Sequence, residues 1–174
     1  SGQATIGIGN YDERYFDAHV TGPIIEDKLA FRLAARVRER DGYVESLNPD
    51  EEDFNSQSMK AVRASLAFEP SENLRFDLIA NYQEDSPSGT SFKSMAFDPL
   101  PGRSSAPWDP ANLNTFGNFL NGKPLGLDRE VTSLTLLGDW QINDAFSLTS
   151  ITGYREFDSL EVFDPDGFGL DLLI

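Results

Sequence analysis

Alternation of apolar and polar residues at every second position is the feature that most limits what this chain can fold into. It is clearest over residues 29–38, where Leu29, Phe31, Leu33, Ala35 and Val37 form one set and Ala30, Arg32, Ala34, Arg36 and Arg38 the other. Successive side chains of an extended strand point to opposite faces, so a strand separates these two sets, whereas a helix would mix them. The pattern recurs in Phe16, Ala18 and Val20, in Val62, Ala64, Leu66 and Phe68, and in Leu74, Phe76, Leu78, Ala80 and Tyr82. It returns in Leu134, Leu136 and Trp140, and again in Phe146, Leu148, Thr152 and Tyr154, while a shorter strand carrying Ile6 and Ile8 precedes them all. The expected fold is all-β, an antiparallel up-and-down meander of about seven strands over residues 3–9, 14–22, 29–40, 58–69, 73–84, 130–141 and 146–158.

The connections alternate between short and long. Residues 22–28, 69–73 and 142–145 read as tight polar turns, whereas residues 41–58 and a stretch at residues 85–128 read as long loops, with a further loop opening after Phe157. Short turns at one end of a meander and long loops at the other is the layout of an outer-membrane β-barrel, with the short ends toward the periplasm. Aromatics at strand ends (Tyr11, Tyr15, Phe68, Tyr82, Trp140, Phe146 and Tyr154) fall where interface girdles would lie. Hydrophobic residues make up 39% and aromatics 11% of the chain, a balance that suits half-buried strands better than a packed helical core. No apolar run is long enough for a transmembrane helix, but alternating strands average out in a hydropathy window and escape that test. A soluble antiparallel β-sandwich also alternates; it would bury Leu29, Phe31 and Leu33 against a second sheet and turn the arginines to bulk water.

Charge and composition exclude several functions. Twenty-nine acidic against 14 basic residues give a formal charge of −15, a field that repels nucleic-acid phosphates and anionic membrane surfaces. With no cysteine and one histidine, His19, the chain offers no thiolate or histidine-cluster metal site and little for histidine catalysis. There is no P-loop, dinucleotide fingerprint or nucleophile elbow. No enzymatic activity, cofactor or metal is expected, since plentiful carboxylates alone do not select a catalytic pair.

Arg32, Arg36, Arg38 and Arg63 fall on the polar faces of neighbouring strands. In a barrel they point into the lumen, where they pair with acidic residues of a plug, line the path of an anionic chelate, or form salt bridges with Asp17, Asp77 or Glu39. On the lipid face each arginine would cost roughly 2–4 kcal/mol at the midplane, which favours the inward assignment. The long loop carries Phe92, Phe97, Trp108, Phe116 and Phe119 among several prolines and glycines; these rings either stack on a ligand or pack the loop against itself. The acidic run at residues 48–53 and the motif at residues 164–171 read as a solvated loop and a turn in preference to cation sites. His19, two residues from Asp17, reads as a polar residue of the lumen.

Several stretches carry a resemblance. Gly7-Ile8-Gly9-Asn10-Tyr11-Asp12, then Asp17-Ala18-His19-Val20-Thr21-Gly22-Pro23-Ile24, Leu29-Ala30-Phe31-Arg32-Leu33-Ala34-Ala35 and Arg40-Asp41-Gly42-Tyr43-Val44 resemble the opening of the barrel in TonB-dependent outer-membrane receptors. Val62-Arg63-Ala64-Ser65-Leu66-Ala67-Phe68-Glu69-Pro70 and Leu148-Thr149-Ser150-Ile151-Thr152-Gly153-Tyr154-Arg155 resemble it too, in the same order. The resemblance implies that residues 1–174 are a partial barrel domain from a wall of about 22 strands. It also implies the bacterial outer membrane as location and TonB-coupled import of a ligand such as a siderophore chelate, cobalamin or oligosaccharide. The implied partners are a plug domain and the remaining strands of the parent protein, the TonB system, outer-membrane lipid and the imported ligand. The rival expectation is a soluble β-sandwich that binds carbohydrate through the aromatic loop.

Overall fold

The computed structural model describes residues 1–46, 48, 51–92, 112–113 and 124–164. Seven strands form one antiparallel sheet: β1 (Gly2–Ile8), β2 (Arg14–Ile25), β3 (Leu29–Arg40), β5 (Gln57–Ser71), β6 (Leu74–Asp85), β8 (Gly126–Asn143) and β9 (Phe146–Val162). Their spatial order follows the chain, β1-β2-β3-β5-β6-β8-β9, so the sheet is an up-and-down meander. Two further strands of two residues, β4 (Glu45–Ser46) and β7 (Asn112–Leu113), pair in parallel within the long-loop region.

The alternation in the sequence becomes two chemically distinct faces because the register keeps like with like. One row of partners runs Gly2–Val20–Leu33–Ala64–Ala80–Leu134–Tyr154 across all seven strands, and the next toward the short turns runs Gly22–Phe31–Leu66–Leu78–Leu136–Thr152. The opposite face carries Gln3–His19–Ala34–Arg63–Asn81–Ser133–Arg155 and Thr5–Asp17–Arg36–Ala61–Gln83–Val131–Phe157. A one-residue slip in any pair would exchange these faces, so the pattern itself fixes the register.

The apolar face is bounded obliquely at the long-loop end. The row Ile6–Phe16–Val37–Lys60–Glu84–Glu130–Asp158 is apolar in its first three strands and charged in the last four. One row nearer the short turns, Ala4–Ala18–Ala35–Val62–Tyr82–Thr132–Glu156 turns charged only at β9. One row further out, Ile8 faces Arg14, and Arg14 faces Glu39, so the change comes already at β2. The boundary thus descends about 14 Å over about 24 Å of sheet width, an inclination of about 30° to the inter-strand hydrogen bonds.

Nothing packs on either face among the described residues. Leu66 is 38% exposed and Leu136 43% exposed on the apolar side, and Ile151 is 71% exposed on the other. Among the described residues an apolar core lies at the long-loop end, where Val44, Phe54, Leu125 and Val162 are buried together and Phe54 is only 1% exposed. Phe54 is fixed by reciprocal backbone bonds with Val44, its amide donating to the Val44 carbonyl at 2.8 Å and its carbonyl accepting from the Val44 amide at 3.3 Å.

Candidate functional site

The polar face forms a concavity of about 550 Å³ over β1, β2, β3, β5 and β6. Three of the four arginines singled out for the lumen, Arg32, Arg36 and Arg63, line it, together with His19, Asn81 and Gln83, whereas Arg38 does not. Their convergence follows from register: Arg32 sits opposite Ser65 and Arg63 opposite Ala34, which places the two guanidinium stems diagonally across β3 and β5. Such diagonal positions lie about 7–8 Å apart, within reach of long side chains. Ala34 and Ala61 form the floor, so the depth of the concavity comes from having methyl groups where the arginines flank them.

The three arginines are not equivalent. Arg36 donates through Nε to Asp17, its register partner on β2. Arg32 and Arg63 meet no carboxylate among the described residues. Of the other acids proposed as partners, Asp77 is held by Arg75, whose Nε donates to it at 2.8 Å while Nη1 reaches Glu69 at 2.9 Å. Glu39 pairs in register with Arg14 and Ser58, on the face opposite the concavity. Arg38 lies over the Tyr15 ring at 5.5 Å, so Tyr15 belongs to the polar face and not to an outward aromatic girdle.

Further along the same face, Asp85 is nearly buried and accepts from Arg129 at 2.9 Å and from Gln83 Nε2 at 2.8 Å, tying β8 to β6. Asn81 donates to its register partner Ser133 at 3.1 Å. Charge-assisted bonds such as Asp85–Arg129 fix side-chain orientation on a face over which nothing packs among the described residues.

The long-loop end is organised around Phe54. Ser88 Oγ donates to the Asp53 carbonyl at 2.5 Å, the Ser56 hydroxyl accepts from the Ser88 amide at 2.8 Å, and Glu51 Oε2 accepts from the Leu125 amide at 3.1 Å. Asp53 accepts from the Ser46 amide at 2.9 Å. Carboxylates of the acidic run therefore serve as loop-bracing acceptors, and no group of three or more metal-ligating side chains occurs among the described residues. Phe92 packs against Phe163, ring centroids 5.6 Å apart, and so joins the loop after β6 to the segment after β9. Phe97, Trp108 and Phe116 lie outside the described residues, as does the motif at residues 164–171 beyond Asp164. The loop core and the Arg75–Asp77–Glu69 cluster carried no signal in the sequence, because their members are scattered and of ordinary type.

No protein-family model matches the chain, and no curated protein matches it.

Proposed function

We propose that this chain is a wall segment of an outer-membrane transport receptor, a TonB-dependent barrel that imports a ligand and performs no chemistry on it. The observation that carries this reading is the oblique limit of the apolar face. Strands of a membrane barrel lean 35–45° from the barrel axis, so a bilayer surface crosses them at that angle to the hydrogen-bonding direction. An inclination of about 30° over seven strands has that form.

The height of the apolar face points the same way. From Leu74 to Tyr82 on β6 it spans about 27 Å along the strand. Projected through the inclination of about 30°, that is about 23 Å, close to the 25 Å band of such barrels. Phe68, Phe76 and Trp140 stand toward the short turns and Phe16, Tyr82 and Tyr154 toward the loops, the positions of two interfacial girdles. A soluble β-sandwich accounts for these features less well, because it needs a second layer over Leu33, Leu66 and Leu136. Free energy favours the membrane reading too: an unpacked face of this size in water forfeits about 25 cal/mol for each Å² left wet.

The test exploits the absence of cysteine from these 174 residues, which lets single cysteines be placed within them once any cysteines elsewhere in the parent protein are replaced. Spin labels at positions 66 and 136 are compared with labels at 65 and 135 in the full-length protein reconstituted in lipid vesicles. The first pair is expected to collide mainly with dissolved oxygen and the second mainly with a water-soluble nickel chelate. Equal access of nickel to both pairs would rule the membrane wall out.

A further inference from the structure

We infer that the long-loop end carries a clasp: residues 42–56, the strap at residues 86–92 and the entry to β8 at residues 124–128 open and close as one cooperative body pinned by Phe54. The inference goes beyond the receptor reading and does not lean on it, since every residue it uses lies past the apolar limit. The segments belong to two different connections, β3 to β5 and β6 to β8. An ordinary loop answers only to its own strand ends, whereas each of these is bonded to the others. The Asn55 amide donates to the Gly89 carbonyl at 3.1 Å, and the Asn55 side chain donates to the Ser91 hydroxyl at 2.8 Å. The Pro87 carbonyl accepts from the Leu127 amide at 3.0 Å, and the Ser86 hydroxyl donates to Asp128 at 3.0 Å. The Leu125 amide closes the circuit by donating to Glu51 at 3.1 Å.

Packing makes the circuit all-or-none. Phe54 is the one large side chain sealed almost completely among the described residues. Its companions come from separate places: Val44 from the first connection, Leu125 from the second and Val162 from the end of β9. No segment buries its own member alone, so lifting any one of them uncovers the ring. Glycines stand where the backbones cross. A Cβ at Gly42 would run into the Asp53 carbonyl, and one at Gly126, whose φ is 145°, would come within 2.8 Å of the Pro87 carbonyl oxygen. Phe92 against Phe163 extends the clasp to the segment after β9. Contact that displaces one connection therefore has to release the other.

Hydrogen exchange of the full-length protein in detergent, read by mass spectrometry, tests this. The amides of Phe54, Ser88 and Leu127, one from each segment, are all hydrogen-bonded within the clasp. They are expected to share one opening constant within about threefold. Phe54→Ala should speed all three together by at least about tenfold and leave the centre of β6 unchanged. The coupling is expected to be reciprocal. Gly126→Ala should speed exchange over residues 42–56, and Gly42→Ala over residues 124–128, each by about as much as in its own segment. Asn73→Ala, at the short-turn end, should change none of the three. Should Phe54→Ala fail to fold, Phe54→Leu keeps the test, with a smaller increase that is still equal in the three segments. Opening constants in the unaltered protein that differ by more than about threefold overturn the clasp, as do increases confined to the segment carrying the substitution. The spin labels at 66 and 136 read the wall independently, so either conclusion can fail without the other.

Discussion

At the scale of single residues, neighbours in sequence lie on opposite faces of the sheet. Thr135 and Leu136 are adjacent on β8, yet Thr135 shares its row with Arg32, Ser65 and Ile79 while Leu136 shares its row with Phe31, Leu66 and Leu78. Leu136→Arg is therefore expected to cost roughly 2–4 kcal/mol in lipid, and Thr135→Arg within about 1 kcal/mol, read from urea unfolding in vesicles. Similar losses for both would contradict the assignment of faces. This assignment was legible in the sequence because it depends only on parity, which each strand states for itself. Partner choice was not. Asp17 is equally near several arginines in the sequence pattern, and only the β2–β3 register selects Arg36. Asp77 went to Arg75, two positions away on the same face, which is a local option the alternation cannot rank against cross-strand ones.

At the scale of elements, the turns hold the register and one of them does so under strain. The β1–β2 turn closes with the Glu13 amide donating to the Asn10 carbonyl at 3.3 Å, and its two central residues, Tyr11 and Asp12, have φ of 59° and 52°. Two successive left-handed residues make the hairpin turn whose twist matches the strands, and that turn favours Asn-Gly over Tyr-Asp. Tyr11 has a reason to stay, since its ring lies 6.1 Å from that of Tyr43. Asp12 has only a 3.9 Å contact with exposed Arg14, which contributes little. Asp12→Gly is expected to stabilise the hairpin by about 1 kcal/mol, seen as slower hydrogen exchange of the β1 amides; faster exchange would mean that Asp12 holds the turn in another way. The seven main strands were readable from alternation, with ends shifted by a few residues where β8 and β9 extend past their apolar positions. The pairing of β4 with β7 and the packing of Phe54 against Leu125 were not readable, because they join segments far apart in the chain and follow no period.

At the scale of the whole molecule, the described residues form one main sheet with no second layer among them, and its charge is sorted by location. Glu84, Glu130, Glu156 and Asp158 crowd the apolar-bearing face just beyond its apolar limit, while arginines dominate the opposite face. This rim accounts for much of the acidity near that end, but it cannot shield what lies below it. The outer strand β9 compounds the problem: it spans 17 residues, pairs only with β8, and is exposed along nearly its whole length. A long unpaired strand edge recruits further strands, and an unpacked apolar face recruits anything greasy. Both demands are met together when the sheet continues into a closed wall surrounded by lipid, and neither is met by this segment in water. The segment produced by itself is thus expected to form large assemblies in aqueous buffer and to disperse only with detergent, as light scattering after size exclusion would register. A monodisperse monomer of 19.3 kDa in plain buffer would show that the apolar face finds cover within the chain, and the membrane reading would lose its energetic ground.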